Sequence, residues 1–339
     1  MRIGQVRKIL GRLIAFPISL FVVVSVAFAL VILMPGDPAV TIAGDFASPE
    51  ALQTIREALG TDKPFLVRYL DYMGGVFTGD LGTSFRSMQP VAGELFRYLP
   101  NTIELVVAGM MIAVFVGVSI GTVGAYFRDR IPDRLAKSTV TVIQSVPVFV
   151  TGLMLILIFF YLLGWLPPPV GRLGLSDFAP PSVTGFLLID CVIAGKWETL
   201  ASALAHMVMP AIALGVTYSA YFAKTTRATM ADAMFSQGIE FARACGLKER
   251  TVVRYALLRS RTSIMTYGAI LVGQLVGGAT VVELIFSWQG IGLWGLKGIL
   301  NVDVPVIQSF VLAAGVFTLL AYFLLDLLTV ALDPRLSDD

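Results

Sequence analysis

The sequence is poor in charged residues, histidine and cysteine. Of its 339 residues only 14% are charged and 56% are hydrophobic, a balance that excludes a soluble globular domain. His206 is the only histidine, which excludes a two-histidine metal site and argues against a His-based catalytic triad. Two cysteines, Cys191 and Cys245, are too few for a disulfide framework. We interpret Cys245 as a small packing residue rather than a reactive thiol.

Signatures of nucleotide and nucleic-acid binding are also missing. No G-x-x-x-x-G-K-[ST] phosphate loop occurs, because Gly195-Lys196 is followed by Trp197. Gly290 to Gly295 matches G-x-G-x-x-G, but a dinucleotide site needs a strand before it, and here a membrane-length run precedes it. We therefore predict a turn near the membrane interface. The basic residues form short clusters without aromatic stacking platforms, which argues against nucleic-acid binding. The sequence predicts no enzyme and no cofactor bound by this chain.

Long hydrophobic runs are what the sequence has instead. The first is too long for the apolar region of a cleaved signal peptide, so we predict that it is retained as a membrane helix. Pro147 is predicted to kink the third run. The sequence thus predicts an all-α polytopic membrane protein with six transmembrane helices. The six predicted spans are 13–36, 105–127, 138–163, 199–223, 262–286 and 304–331.

The distribution of basic residues predicts the orientation. Segments that six spans place inside hold 17 Lys/Arg residues, whereas the longer outside segments hold 8, and basic loops are retained in the cytoplasm. We therefore expect both termini to be cytoplasmic. The predicted organisation is a cytoplasmic N-terminus at 1–12, an extracytoplasmic loop at 37–100, a core of five helices within 101–331 and a cytoplasmic tail at 332–339.

Two predicted extracytoplasmic segments have local features. Pro49 to Gly60 has the pattern of a short amphipathic helix, capped at or near Ser48. The loop over 164–198 is rich in proline and glycine. Its apolar part, Phe186 to Ala194, is too short to cross a membrane, so we expect it to lie at the interface or to dip back.

The segment 225–261 between the fourth and fifth spans is the candidate docking element. Its second half is strongly basic, and Ala242, Ala244 and Gly246 keep one stretch small enough for a partner's groove to approach. Gly246 can also adopt positive φ and end a helix. The basic residues from Gln237 to Thr266 are Arg243, Lys248, Arg250, Arg254, Arg259 and Arg261, against the acids Glu240 and Glu249.

Three acids stand near the ends of predicted spans, namely Glu104, Glu283 and Asp326. Charge at membrane depth is costly and usually faces a partner or a wet cavity. At span ends that cost is small, so solvation or packing at a helix end is the simpler interpretation. A role in the pathway or gate is the alternative, and Glu283 is our candidate for it.

Several motifs in order along nearly the whole chain resemble one family, the ABC importer permeases of the dipeptide/oligopeptide type. Residues 242–247, ARACGL, resemble its "EAA" segment, and residues 281–290, VVELIFSWQG, resemble its VVExxFxWPG motif. Further similar motifs are MPGDP at 34–38, GDLGTS at 79–84, LPNTIEL at 99–105 and the LDPR ending at 335. Cys245 stands where the family usually has lysine, and Gln289 where proline is common. Ala256 and Ile264 stand where the family often has histidine and proline.

The resemblance implies a type I importer permease in a bacterial inner membrane. It implies a second homologous permease subunit, two ATP-binding subunits that carry ATP and Mg²⁺, an extracytoplasmic solute-binding protein and surrounding membrane lipid as partners. It also implies that the 237–261 loop couples to the ATPases through a short helix. The residues that match this helix are Glu240, Phe241, Ala242, Arg243, Ala244, Cys245, Gly246 and Leu247.

Other functions fit the same sequence. Peptides are the commonest cargo that the resemblance implies, and oligosaccharides, opines and nickel chelates are alternatives within the same architecture. An ion-driven secondary transporter is a competing class, but such proteins usually have more spans and internal repeats, which we do not find. A membrane-anchored scaffold would explain the basic loop but not the long kinked spans.

Overall fold

The computed structural model describes residues 3–32, 39–40, 47–60 and 62–332, and these residues are mainly helical. Thr83 and Pro90 form an isolated antiparallel bridge within them. The helices, numbered in chain order, are α1 Ile3–Ile32, α2 Pro49–Leu59, α3 Phe65–Thr78, α4 Val91–Tyr126, α5 Ile131–Ser145, α6 Val148–Leu155 with a π-helical extension Ile156–Leu162, α7 Leu187–Ile193, α8 Trp197–Met234, α9 Gln237–Ala244, α10 Glu249–Ile285, α11 Ile291–Leu300 and α12 Val304–Leu332.

Helix length and composition support a multi-pass membrane protein. Within the described residues, α4, α8, α10 and the Val304–Leu324 part of α12 are long and apolar enough to cross a membrane, and α5 with α6 and its extension adds a fifth crossing if counted as one bent span. The part of α1 described as an apolar helix, Ala15–Leu30, is shorter than the others. The fold is therefore all-helical and polytopic, and the count of six remains a prediction.

The predicted third span is broken rather than merely kinked. Helix α5 ends at Ser145 and α6 begins at Val148, with an angle of 95° between Ile131–Ser145 and Val148–Leu162. Val146 between them is extended, with φ −99° and ψ 117°. Pro147 disfavours helical geometry at the preceding residue and has no N–H to donate, so a break here is expected. The kink predicted at Pro147 is thus a break between two helices, and α5 begins at Ile131 instead of 138.

The other long helices extend beyond the hydrophobic runs that predicted them. Helix α4 begins at Val91 instead of 105, α8 continues to Met234 instead of 223, and α10 begins at Glu249 instead of 262. Hydropathy marks only the part of a helix that hydrocarbon surrounds, whereas backbone hydrogen bonds continue into the polar ends. The predicted amphipathic helix is confirmed as α2, and Phe186 to Ala194 contains the short helix α7.

We call the two ends of the bundle the Gly246 end and the Glu283 end. Gly246 lies just before the start of α10, and Glu283 lies in its last turn. The 37 residues of α10 span about 55 Å at 1.5 Å per residue. Helix α4 runs antiparallel to α10. Thr102, near the start of α4, contacts Glu283 near the end of α10, whereas Ala125, near the end of α4, packs with Ile239 at the Gly246 end.

Glycines bring α4 and α8 into close contact along their lengths. A Cβ at Gly117 would lie 2.4 Å from the Ser219 carbonyl oxygen, and one at Gly121 would lie 2.7 Å from the Ala223 carbonyl oxygen. On the other side of the contact, a Cβ at Gly215 would lie 2.5 Å from the Ile112 side chain. Small residues allow this approach in membranes, where close packing takes the place of the hydrophobic effect as the driving force.

We predict that Gly117→Ala destabilises the protein by about 1–3 kcal/mol, because the added methyl group forces two backbones apart. Gly93→Ala in the same helix is the matched control. A Cβ there has nothing within 4 Å, so this change should be neutral or slightly stabilising. Thermal unfolding of the purified complex in detergent measures both effects. Equal melting temperatures for the two variants would contradict the packing argument.

Candidate functional site

The short helix α9 is seated on the ends of its two long neighbours. Ile239 and Ala242 are buried on its inner face. They repeat at a spacing of three, which places both side chains on the same side of one helical turn. Ile239 packs in an apolar cluster of small and flexible side chains from α4, α8 and α10. The other members of this cluster are Ala125, Met230, Ala231, Ala233, Met234, Val252 and Ala256.

Gly246 ends this part of the chain as the sequence predicts. Its φ is +73°, the left-handed conformation that glycine adopts without a Cβ penalty. The Gly246 N–H donates to the Arg243 carbonyl oxygen at 2.9 Å, and the Leu247 N–H donates to the Ala242 carbonyl oxygen at 3.2 Å. This pair of bonds is a Schellman motif, which satisfies carbonyl groups that the helix end leaves without partners.

The eight predicted coupling residues lie together, and seven of them are exposed. Only Ala242 is buried, while Phe241 has 70% of its surface exposed. Cys245 is exposed as well, so its interpretation as a packing residue of this chain was wrong. The Arg243 Nε donates to Glu249 Oε1 at 3.2 Å and ties the helix to the start of α10. The result is a small protruding surface with an unshielded aromatic ring.

A buried ion pair, which the sequence reasoning missed, fixes the same end of the bundle. The Asp133 carboxylate in α5 is fully buried and accepts hydrogen bonds from Arg227 of α8, at 2.5 Å from Nε and 2.9 Å from Nη2. Lys137 Nζ lies 3.0 Å from the same carboxylate. A two-bond arginine–carboxylate contact fixes orientation as well as distance. Asp133 and Arg227 are 94 positions apart in the sequence, and no local pattern identifies such a pair.

Glu283 is completely buried at the opposite end of the bundle. Thr102 of α4 donates its hydroxyl proton to Glu283 Oε1 at 2.5 Å, and the Leu293 N–H donates to Oε2 at 2.7 Å. The Thr102 oxygen in turn accepts the Ile291 N–H at 2.8 Å. Glu283 is therefore packed at the helix end rather than solvated there, and packing is one of the two forms that the simpler interpretation allowed. Its carboxylate joins α4 and α10 to the first turn of α11, where free N–H groups favour an acceptor.

A second acidic residue extends this network into the loop before α7. The Glu104 carboxylate forms an ion pair with Arg172 and accepts the Leu188 N–H at 2.9 Å. Burial lowers the pKa of the Arg172 guanidinium, although the nearby Glu104 charge opposes that effect. Arg172 also donates to Asn101, whose carbonyl oxygen accepts the Trp288 indole N–H at 2.9 Å. The motifs 99–105 and 281–290 thus meet in one polar cluster.

The GDLGTS motif docks at the Glu283 end too. Gly82 has φ +81°, and its N–H donates to the Asp80 side chain at 2.9 Å. The Ser84 hydroxyl then donates to Asp303 Oδ2 at 2.6 Å, in the connection between α11 and α12. This anchors the turn before α4 against a distant part of the chain.

Other predicted features have simpler outcomes. The glycine-rich match at 290–295 forms the start of α11 instead of an interfacial turn, and a Cβ at Gly295 would lie 2.2 Å from the Phe310 ring. Its glycines therefore serve close packing. No group of three His, Cys, Asp or Glu residues suited to a metal ion occurs in the part of the chain that the structure describes. Residues 34–38, the Asp326 side chain and residues 333–335 lie outside the described parts.

We predict that Glu283→Ala destabilises the protein by about 2–3 kcal/mol, because it leaves the buried Thr102 hydroxyl and the Leu293 N–H without an acceptor. Glu283→Gln keeps one acceptor oxygen and should cost about 1 kcal/mol. Thermal unfolding and amide exchange at residues 291–293 report both changes. Exposed Glu198→Ala is the control. If the alanine variant at position 283 matched this control, the carboxylate would not hold the three helices.

Comparison with known proteins identifies the family. The family described as "Binding-protein-dependent transport system inner membrane component" matches residues 109–338, and its N-terminal counterpart matches residues 5–106. The chain is 36% identical to the dipeptide transport system permease protein DppB of Alkalihalophilus pseudofirmus, covering 92% of this chain and 93% of that one. It is 37% identical to DppB of Escherichia coli K12, covering 91% and 92%.

A glutathione transport system permease protein, GsiC of Escherichia coli O6:H1, is 32% identical over 97% of this chain and 98% of its own length. These matches confirm the resemblance that the motifs indicate, and they agree with a multi-pass location in the bacterial inner membrane. The chain therefore belongs to the family of inner-membrane components of binding-protein-dependent transport systems, the permease subunits of ABC importers.

Proposed function

We propose that this chain forms half of the translocation pathway of an ATP-driven importer for short peptides. Relatives that cover 91–97% of its length are named for dipeptide and glutathione transport, and glutathione is itself a short peptide. The observation that carries the proposal is the exposed α9 surface, which is held rigidly by its own chain and has no covering element among the described residues. Such a surface is useful only to a partner, and in this family that partner is an ATPase.

The Gly246 end is the cytoplasmic end in this proposal. The segment 224–261 carries eight Lys/Arg residues between two apolar stretches of helix, which favours retention inside. The Glu283 end then faces outward, where an extracytoplasmic binding protein delivers the solute. Six spans with both termini in the cytoplasm complete this arrangement, with a second homologous permease beside the chain and two ATPases below it.

The geometry supports a mechanism in which α9 transmits movement as a rigid lever. Ile239 and Ala242 are buried, and Ile239 packs against residues of α8 and α10, so a displacement of α9 acts on both helices. ATP and Mg²⁺ bind to the ATPases, and closure of these subunits displaces α9 in this chain and in its partner. The long helices rock as rigid bodies and open the pathway outward, and ATP hydrolysis resets them. This chain performs no chemical step.

Glu283 takes a specific role in this cycle. Because its carboxylate is buried among α4, α10 and α11, it holds the outer end of these helices together instead of touching solute. As a gate residue it would therefore act by positioning the helices that close the pathway. A selective loss of transport in Glu283→Gln at normal membrane abundance would support this role.

We predict that Phe241→Ala lowers peptide transport and peptide-stimulated ATP hydrolysis at least tenfold, because exposed aromatic anchors often contribute 2 kcal/mol or more to an interface. Phe115→Ala is the matched control, since Phe115 is 76% exposed on the side of α4 within the membrane. The measurements are uptake in proteoliposomes and ATPase activity of the reconstituted complex. Full coupling in Phe241→Ala would show that α9 is not the docking element.

The turn at Gly246 gives a graded test of the same surface. A Cβ at Gly246 meets nothing within 4 Å, so a substitution acts only through the strain of its positive φ. Gly246→Ala should cost about 1 kcal/mol locally, while Gly246→Asn should cost less because asparagine tolerates this conformation. We expect the coupling of hydrolysis to transport to decrease in the order Gly, Asn, Ala. A Gly246→Ala protein with the coupling of the native protein would contradict the role of this turn.

A further inference from the structure

One face of α10 is exposed along its membrane part and is not uniformly apolar. The exposed positions recur every three or four residues, so they form one stripe along the helix. Between Thr262 and Val282 the sequence carries no charged residue. Gln274 lies at the middle of the predicted span 262–286. The exposed residues of the stripe are Ser263, Thr266, Ile270, Gln274, Gly277, Val281 and Leu284.

The exposed face of α4 provides the contrast. Between its ends, that face carries the apolar residues Val107, Met111, Val114, Phe115 and Val123, together with Ser119, whose hydroxyl donates to the Phe115 backbone carbonyl oxygen at 2.6 Å. A primary amide that faces hydrocarbon without a partner is costly, by several kcal/mol in an alkane-like environment. An unpartnered amide on α10 therefore suits a protein or water-filled surrounding better than lipid.

Tyr218 of α8 completes a polar surface at the same depth. Its hydroxyl donates to the backbone carbonyl oxygen of Gln274 at 2.7 Å, and a Cβ at Gly278 would lie only 2.5 Å from that hydroxyl oxygen. The ring of Tyr221 lies 6.1 Å from the Tyr218 ring. A Cβ at Gly277 would meet nothing within 4 Å. Gly278 thus makes room for the Tyr218 hydroxyl, and Gly277 leaves open space beside the exposed Gln274.

We propose that Gln274, with Tyr218 and the open space at Gly277, forms a contact in the translocation pathway for the backbone of a short peptide. This inference rests on the proposed function. A glutamine amide both donates and accepts hydrogen bonds, which matches the N–H and C=O groups of a peptide unit. The surface carries no charge, so it gives no preference to acidic or basic side chains. Recognition of the backbone alone suits a pathway that carries varied peptides.

Cysteine labelling tests whether the site is wet. Gln274→Cys and Met111→Cys are each reconstituted in the full complex and treated with a membrane-impermeant, charged thiol reagent. Modification is then assigned to positions by mass spectrometry, and labelling of the same variants after unfolding in denaturant is the positive control. We expect labelling at 274, slower in the presence of binding protein and dialanine, and none at 111. No labelling at 274 in any state of the ATPase cycle would overturn the inference.

Transport by charge-altered variants tests the proposed chemistry. Gln274→Glu should lower uptake of an aspartate-containing dipeptide at least tenfold relative to a lysine-containing one, because it adds a negative charge to a neutral surface. Gln274→Leu should lower both uptakes to a similar extent. If Gln274→Glu leaves the ratio unchanged while the native complex carries both dipeptides, the inference fails and the proposed function stands. If the native complex carries neither, the proposed function itself fails.

Discussion

Hydrocarbon offers no hydrogen-bond partners, and this constraint governs where polar groups lie in the structure. Asp133, Glu104 and Glu283 are all buried, and each carboxylate accepts hydrogen bonds from side chains or backbone of another element. Burial of an unpaired carboxylate would cost far more free energy than any single apolar contact could offset. The acids are therefore tolerated because they join helices, and the joints lie near the two ends of the bundle.

Between these two polar ends the helices behave as stiff connections. Helices α8 and α10 have 38 and 37 residues, so each extends about 55 Å without interruption. Glycine contacts fix α4 against α8, and a close-packed interface does not deform continuously. In the proposed mechanism, a movement at the Gly246 end reaches the Glu283 end as a shift of whole helices. The broken third span is the exception, since Pro147 separates α5 from α6.

The sequence predicted well whatever depends on local composition. Hydrophobic runs located the long helices, small residues and Gly246 located the α9 turn, and Pro147 located the break. The sequence did not reveal the partners of Glu283 and Asp133, because Thr102 is 181 positions from Glu283 and Arg227 is 94 positions from Asp133. The exposure of Cys245 was also missed, since a small apolar residue within an amphipathic stretch suits either face. The long helices were predicted too short, because hydropathy does not report on helical structure outside hydrocarbon.

The small size of the α9 surface places a condition on the rest of the chain. Few side chains protrude there, so the free energy that a partner can transmit depends on how little is lost in local deformation. A loosely held helix would absorb the displacement by bending its own turn. The Schellman bonds at Gly246, the buried Ile239 and the Arg243–Glu249 contact each remove one way in which α9 could yield. In the proposed mechanism stiffness at this point is a requirement for coupling, which gives a reason for the many specific contacts of a short turn.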